Sequence, residues 1–280
     1  MNRKDLFRRM KKSRLFRIGI ISVLLITFIC FVSPYFLKFD PLKVNLGMRL
    51  QAPDLGSGHI FGTDAVGRDV LSRLLVGGRT SISIAAVVVA ITTVFGMILG
   101  LIAGYYSGIP DVILMRITDI MSALPSLLLA ICVVAVLGGS VTNLIVVLSL
   151  TSWVVVARVT RSATLSIRNT DYVSATRVMG MPDLKILFSE VLPNVISPVI
   201  ITATQAFGGM ILTEAAMSYL GLGIPAPNPS WGNMISDGRE YIAKAPWVVI
   251  VPGIALMLTV LSVNFLGDGL NDVLNPKNKD

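Results

Sequence analysis

The sequence predicts an all-α, polytopic membrane protein with six transmembrane helices, and three observations carry that prediction. Of its 280 residues, 54% are hydrophobic and only 14% charged, far from the balance of a soluble domain of this size. The apolar residues gather into six runs, each close to the roughly 20 residues that an α-helix needs to cross about 30 Å of hydrocarbon. The runs are also continuously apolar, whereas barrel strands are about 10 residues long and alternate in polarity, so helices are expected rather than a closed sheet.

The first run, Phe16 to Leu37, follows Arg3, Lys4, Arg8, Arg9, Lys11, Lys12 and Arg14 and carries Arg17 at its start, and the positive-inside rule holds such an N-terminus in the cytoplasm. Its end, Phe31-Val32-Ser33-Pro34, offers no small-x-small cleavage site, so it reads as an uncleaved span rather than a signal peptide. The others run from Ser81 to Tyr105, Ile113 to Leu137, Val141 to Arg161, Val195 to Leu222 and Pro246 to Gly267. Six spans return the C-terminus to the cytoplasm and place Arg158, Arg161, Arg168, Arg177, Lys185, Lys277 and Lys279 on the inner side. The net charge of +8 is then explained by basic residues beside acidic membrane lipid, and calls for no nucleic acid.

The chain divides into a cytoplasmic N-terminus with the first span (1–37), an extracytoplasmic segment (38–79) and a five-helix core (80–280). Within the second part, Val70, Leu71, Leu74 and Leu75 recur at helical spacing while Arg68, Asp69 and Arg73 fall elsewhere, predicting a short amphipathic outer helix. Gly96, Gly100 and Gly104, four residues apart, make a flat helix face for close packing within the bundle or against a second subunit. Between the last two spans, Pro225, Pro227 and Pro229 deny the chain a regular helix, and Trp231, Tyr241 and Trp247 suit a membrane interface. Cys30 and Cys132 lie in apolar runs and read as packing residues. The single histidine, His59, makes no metal site.

One polar stretch interrupts this pattern: Asp171-Tyr172-Val173-Ser174-Ala175-Thr176-Arg177-Val178-Met179-Gly180, followed by Val191-Leu192-Pro193. Asn169 or Thr170 can cap a helix starting near Asp171, and Gly180 is suited to closing it. Pro182 and Asp183 restart a second short helix that carries Leu184, Leu187, Phe188 and Val191 toward one side. A compact helical knob on a membrane protein without catalytic equipment is built to be gripped by another protein. The chain has no Gly-Lys pair, hence no phosphate loop, so nucleotide energy has to come from a partner.

This stretch resembles the EAA loop of permease subunits of ATP-binding cassette importers, with Ser174-Ala175-Thr176 standing for Glu-Ala-Ala, then three residues and Gly180, and Val191-Leu192-Pro193 at its close. His59-Ile60-Phe61-Gly62-Thr63-Asp64 with Gly67-Arg68-Asp69-Val70 is similar to a signature of the dipeptide, oligopeptide and nickel branch. So are Thr213-Glu214-Ala215-Ala216, Tyr219 to Gly223, Pro229-Ser230-Trp231-Gly232 and Asn264-Phe265-Leu266-Gly267-Asp268. The resemblance, closest to the C-type permease of that branch, implies a bacterial inner-membrane subunit paired as a heterodimer with a second homologous permease. Two ATPase subunits would lie below and a substrate-binding protein outside. ATP and Mg would sit on the ATPases, with no cofactor or metal on this chain. It implies a cytoplasmic coupling-helix loop at about 166–193, in which Asp171, Tyr172, Ser174, Ala175, Thr176, Arg177, Gly180, Leu192 and Pro193 engage the ATPase and Arg177 pairs with an acid there. Peptides are the implied cargo, with nickel, metal-chelator complexes or glutathione as alternatives.

Glu214 lies inside the fifth span, where an ionisable residue faces the bundle interior or a water-filled path. With Gln205 and Asn264 it forms the candidate translocation set, each residue serving either cargo contact or interhelical hydrogen bonding. Arg116 and Asp119, three apart, are placed to satisfy one another. An intramembrane enzyme is disfavoured by the lone histidine, and an ion-coupled carrier by the lack of a detectable inverted repeat.

Overall fold

A computed structural model describes residues 3–274, with side chains from Arg8 onward. Lys277 and Lys279, expected on the inner side, lie outside the described residues, as do the side chains of Arg3 and Lys4. Helices α1 (Arg3–Lys12) and α2 (Arg14–Val32) are separated by Ser13, whose extended backbone breaks the helix and whose Oγ accepts from the Phe16 N–H at 3.3 Å as an N-cap. After a tight turn at Ser33–Phe36, around Pro34, the chain runs through turns to Asp69, which caps α3 (Val70–Tyr106) by accepting from the Ser72 N–H at 2.7 Å. Next come α4 (Gly108–Ala123), α5 (Ser126–Leu137) and α6 (Val141–Ile167), the last capped by Ser140. The polar stretch forms α7 (Asp171–Val178) and α8 (Asp183–Ile186), and α9 (Leu192–Tyr219), α10 (Trp231–Gly238) and α11 (Trp247–Leu274) complete the chain. Among the described residues there is no strand longer than an isolated bridge. Among the described residues five helices are long and apolar enough to cross a membrane, and the count reaches six when the bent pair α4–α5 is taken as one span.

Four elements differ from the sequence expectation. The outer amphipathic helix is not a separate piece: it is the first two turns of α3, which continues through Gly77 and Gly78 into the second span. Those glycines interrupt nothing, because they let Ser230 and Trp231 lie against the helix; a Cβ at Gly78 would stand 2.7 Å from Trp231 Cζ2. The third span is broken into α4 and α5, bent by 83°. Pro125 cannot donate an N–H and disfavours helical backbone at Leu124, which is extended (φ −101°, ψ 134°). The prolines do keep the stretch before Ser230 irregular, but Ser230 then caps α10 by accepting from the Asn233 N–H at 3.1 Å. Trp231 is therefore no membrane anchor: it is 1% exposed and donates from Nε1 to the Leu74 carbonyl. Finally, the second helix of the knob is not free-standing. It passes through a π-helical turn, Leu187–Val191, directly into α9.

The long helices associate by close backbone approach, the main force available between helices in lipid. Gly96, Gly100 and Gly104 all face α6; a Cβ at Gly96 would stand 2.7 Å from the Trp153 carbonyl and one at Gly104 2.6 Å from Thr164 Cβ. The flat face is thus spent inside the chain. α2 lies on α11 through Gly19 and Gly269 in the same way. Val88, Leu144, Leu148, Ile211, Met217 and Trp231 form the centre of the main core, at the end of the bundle away from α7.

Candidate functional site

At the knob, Thr170 takes the N-cap position with extended backbone (ψ 153°), although its hydroxyl turns back to donate to the Ile167 carbonyl and leaves the cap unmade. Asp171 in the first turn and Arg177 in the last both suit the helix dipole. Gly180, at φ +78°, closes α7: its N–H reaches the Arg177 carbonyl at 3.0 Å and the Met181 N–H reaches the Thr176 carbonyl at 3.2 Å. This pair of bonds is a Schellman motif, and Met181 makes its hydrophobic contact by packing on the cluster that holds Val173. Only Val173 of α7 is buried.

The knob is fastened to the neighbouring helix ends. Val173, Ile186, Leu187 and Val191 pack with Leu101 and Tyr105 of α3. The Tyr105 hydroxyl donates to Asp183 at 2.6 Å, and the Arg177 guanidinium lies 5.6 Å from the centroid of the Tyr105 ring. The neighbouring Tyr105 hydroxyl holds the Arg177 pKa above its ordinary value, while the Arg177 side chain stays exposed. Arg168 caps the C-terminal end of α3, donating to the carbonyls of Gly104 and Tyr105 and to Ser107 Oγ. Behind it Arg161 makes two bonds to Asp111. Asp119 pairs with Arg158 of α6 at 2.9 Å, not with Arg116 as the spacing suggested, which ties the broken pair to α6.

Among the exposed residues of the knob are several large apolar ones, beside the exposed Asp171, Ser174, Arg177, Asp183 and Lys185. Val178 is 89% exposed, Met179 73%, Leu184 65% and Phe188 62%, and Tyr172 is also exposed. Leu184 and Phe188 were expected to pack with Leu187 and Val191, but instead point outward. Leu192 is half-buried at the start of α9 with Pro193 beside it, while Ser174 and Ala175 are exposed and Thr176 half-buried.

The candidate pathway residues separate. Gln205 is exposed on a cleft of about 750 Å³ between the broken α4–α5 pair, α6 and α9, together with Ser122, Ser126, Thr151, Ser152 and Thr213. Arg158 is the charged residue among its described lining. Asn264 lies on α11 against Gly208 of α9. Glu214 is fully buried away from the cleft, with Oε1 accepting from Ser218 Oγ at 2.7 Å and Oε2 without a partner among the described residues. Glu214→Gln keeps that acceptor, so transport is expected to stay within about twofold and stability to change by no more than about 1 kcal/mol. Loss of uptake in a fully assembled variant would put Glu214 on the path.

The opposite end carries a feature that sequence reasoning did not assemble. Asp64 accepts from the backbone N–H groups of Val66 and Arg68 and from Arg68 Nε at 2.6 Å, while Arg73 Nε stands 3.5 Å away. Asp237 of α10 approaches both arginines, at 3.3 and 3.6 Å. His59, stacked on Phe39, pairs through Nδ1 with Asp69 at 2.8 Å. His59, Asp64, Asp69 and Arg73 are all buried, so this motif is a clamp that folds residues 45–69 onto the start of α3.

A family profile described as "Binding-protein-dependent transport system inner membrane component" matches residues 96–280, and one described as "N-terminal TM domain of oligopeptide transport permease C" matches residues 3–53. The dipeptide transport system permease protein DppC of Alkalihalophilus pseudofirmus is 41% identical over 99% of this chain and 90% of that protein. The di/tripeptide transport system permease protein DppC of Pseudomonas aeruginosa is 41% identical over 94% of this chain and 88% of that protein. Among solved structures, an inward-facing MetNI methionine ABC transporter matches with TM-score 0.59 and 21% identity, covering 72% of this chain and 96% of that chain, a likeness of fold.

Proposed function

We propose, from the premise that this chain belongs to the family of binding-protein-dependent transport system inner membrane components, that it forms half of the membrane path of an ATP-driven importer of di- or oligopeptides. The observation that carries the coupling role is the group of apolar side chains on the knob, where Val178, Met179, Leu184 and Phe188 are exposed with no described residue of this chain to cover them. α7 then faces the cytoplasm and seats in a groove of an ATPase subunit, and a second, homologous permease completes the path. A binding protein delivers cargo at the opposite end. Closure of two ATPases moves the knob, and its anchorage through Tyr105, Asp183 and the π turn into α9 transmits that movement to the spans as a rigid body. Peptide cargo is supported by the naming of the relatives and by the cleft wall: hydroxyl and amide groups hydrogen-bond a peptide backbone whatever its side chains.

The test is co-purification of the assembled complex in mild detergent, with uptake of a labelled dipeptide in cells. Deleting the knob is a poor probe, because residues 183–191 run on into α9 and bury Ile186, Leu187 and Val191. Val178→Asp with Phe188→Asp places charge only on the exposed tip. It is expected to lose the ATPase and abolish uptake while retaining the partner permease. A Cβ at Gly180 has no atom within 4 Å, so Gly180→Val acts chiefly through the positive φ, at a cost of about 1–3 kcal/mol, and is expected to weaken ATPase retention partially. Normal ATPase retention and uptake in both variants would refute the coupling role.

A further inference from the structure

Where α1 turns into α2, beside the end of α11, the chain forms a cleft of about 420 Å³ lined by Arg9, Lys12, Ser13, Arg14, Leu15, Asp272 and Val273. Three of these are cations and one is an acid. Among the described residues Arg9, Lys12 and Arg14 have no ion-pair partner, and Asp272 stands within salt-bridge distance of none of them. Positive charge without an ion-pair partner among the described residues is therefore concentrated in one concave place.

The cleft is held open by rigid packing. α2 and α11 meet backbone to backbone: a Cβ at Gly19 would stand 2.6 Å from Leu266 Cα, and one at Gly269 would stand 2.8 Å from Phe16 Cβ. Phe16 is buried in that seam, and Ser13 fixes the bend by capping α2. The cleft lies just before the apolar run that starts at Phe16 and just beyond the one that ends at Gly267, so its cations flank the ends of two membrane-spanning runs, with Leu15 exposed beside them.

We infer that this cleft is a binding site for the phosphate of an anionic phospholipid, with Arg9, Lys12 and Arg14 as its cationic ligands. A lipid is favoured over a free phosphate because the apolar side of the cleft, Leu15 and Val273, continues into the lipid-facing surface of α2, where Ile18, Ile21, Leu24 and Leu25 are exposed. The inference depends only on α2 and α11 crossing the bilayer and not on cargo or on ATPase coupling, so it stands or falls separately from the importer reading.

Native mass spectrometry of the full chain, titrated with phosphatidylglycerol or phosphatidylcholine and challenged with inorganic phosphate, tests it. Phosphatidylglycerol is expected to bind the chain at least about tenfold more tightly than phosphatidylcholine and to resist millimolar phosphate. Arg9→Gln with Lys12→Gln and Arg14→Gln is expected to lose that preference, since each cation near an anionic surface contributes about fivefold. Asp272→Asn is expected to strengthen it, a gain that misfolding cannot imitate. Equal binding of the two lipids, an unchanged preference in the triple variant, an unchanged or weaker one in Asp272→Asn, or displacement by inorganic phosphate would each overturn the assignment.

Discussion

Gly100→Leu is expected to yield no monodisperse protein, while Gly209→Leu folds normally. Gly100 lies where α3 and α6 touch: a Cβ there would clash with the Ala157 carbonyl, stand 2.5 Å from Thr160 Cβ and 3.0 Å from the Arg161 nitrogen. Two of these three neighbours are backbone atoms, which cannot rotate away. A leucine has to push the helices apart, and the contacts at Gly96 and Gly104 are lost with it. Overpacking in a core commonly costs about 1–3 kcal/mol, and separation of an entire glycine seam raises this above the usual range. Gly209, on α9, has no atom within 4 Å of its Cβ position and looks into the cleft. Size-exclusion chromatography and thermal unfolding in detergent compare the two. Similar behaviour of both variants would show that the α3–α6 seam does not hold the bundle together.

That seam was legible in the sequence because it is local. Three glycines four residues apart define a face whatever lies opposite, and the sequence left open whether the neighbour lay within the bundle or in a second subunit. Gly180 was legible for the same reason, since a positive φ and two short-range bonds satisfy the end of α7. The register of the following helix was not. Helical spacing put Leu184 and Phe188 on one side with Leu187 and Val191, but the buried face is Ile186, Leu187 and Val191, with a π turn at Leu187–Val191 that the spacing does not foresee.

The broken third span had a signal, Leu124-Pro125, which a reading by apolar length alone passes over. Other features depended on contacts distant in sequence. Arg68 and Asp237 are 169 positions apart, so the charges of residues 38–79 read from the sequence as an unassigned mixture. Nor does apolarity distinguish Trp231, buried against Leu74, from a tryptophan at a lipid interface.

Asp64→Ala is expected to destabilise the end opposite α7 by about 3–5 kcal/mol, because it removes one partner of a buried charge cluster and leaves the other in place. Arg73 is 2% exposed, and the nearest acid left to it is Asp237, whose side chain is 48% exposed and 3.6 Å away. Asp64 also accepts the Val66 and Arg68 N–H groups, so its loss unties the turn at 64–68 as well as the ion pair. Asp237→Ala removes the exposed member of the cluster and is expected to cost no more than about 1 kcal/mol. Thermal unfolding in nanodiscs measures both, and limited proteolysis reports whether cleavage within residues 45–69 accelerates in Asp64→Ala alone. The ranking separates two accounts of the clamp. If Asp64 organises the segment, its removal exposes the loop while the spans stay folded. Equal effects of the two variants would mean that the surface pair to α10 is what fastens the segment.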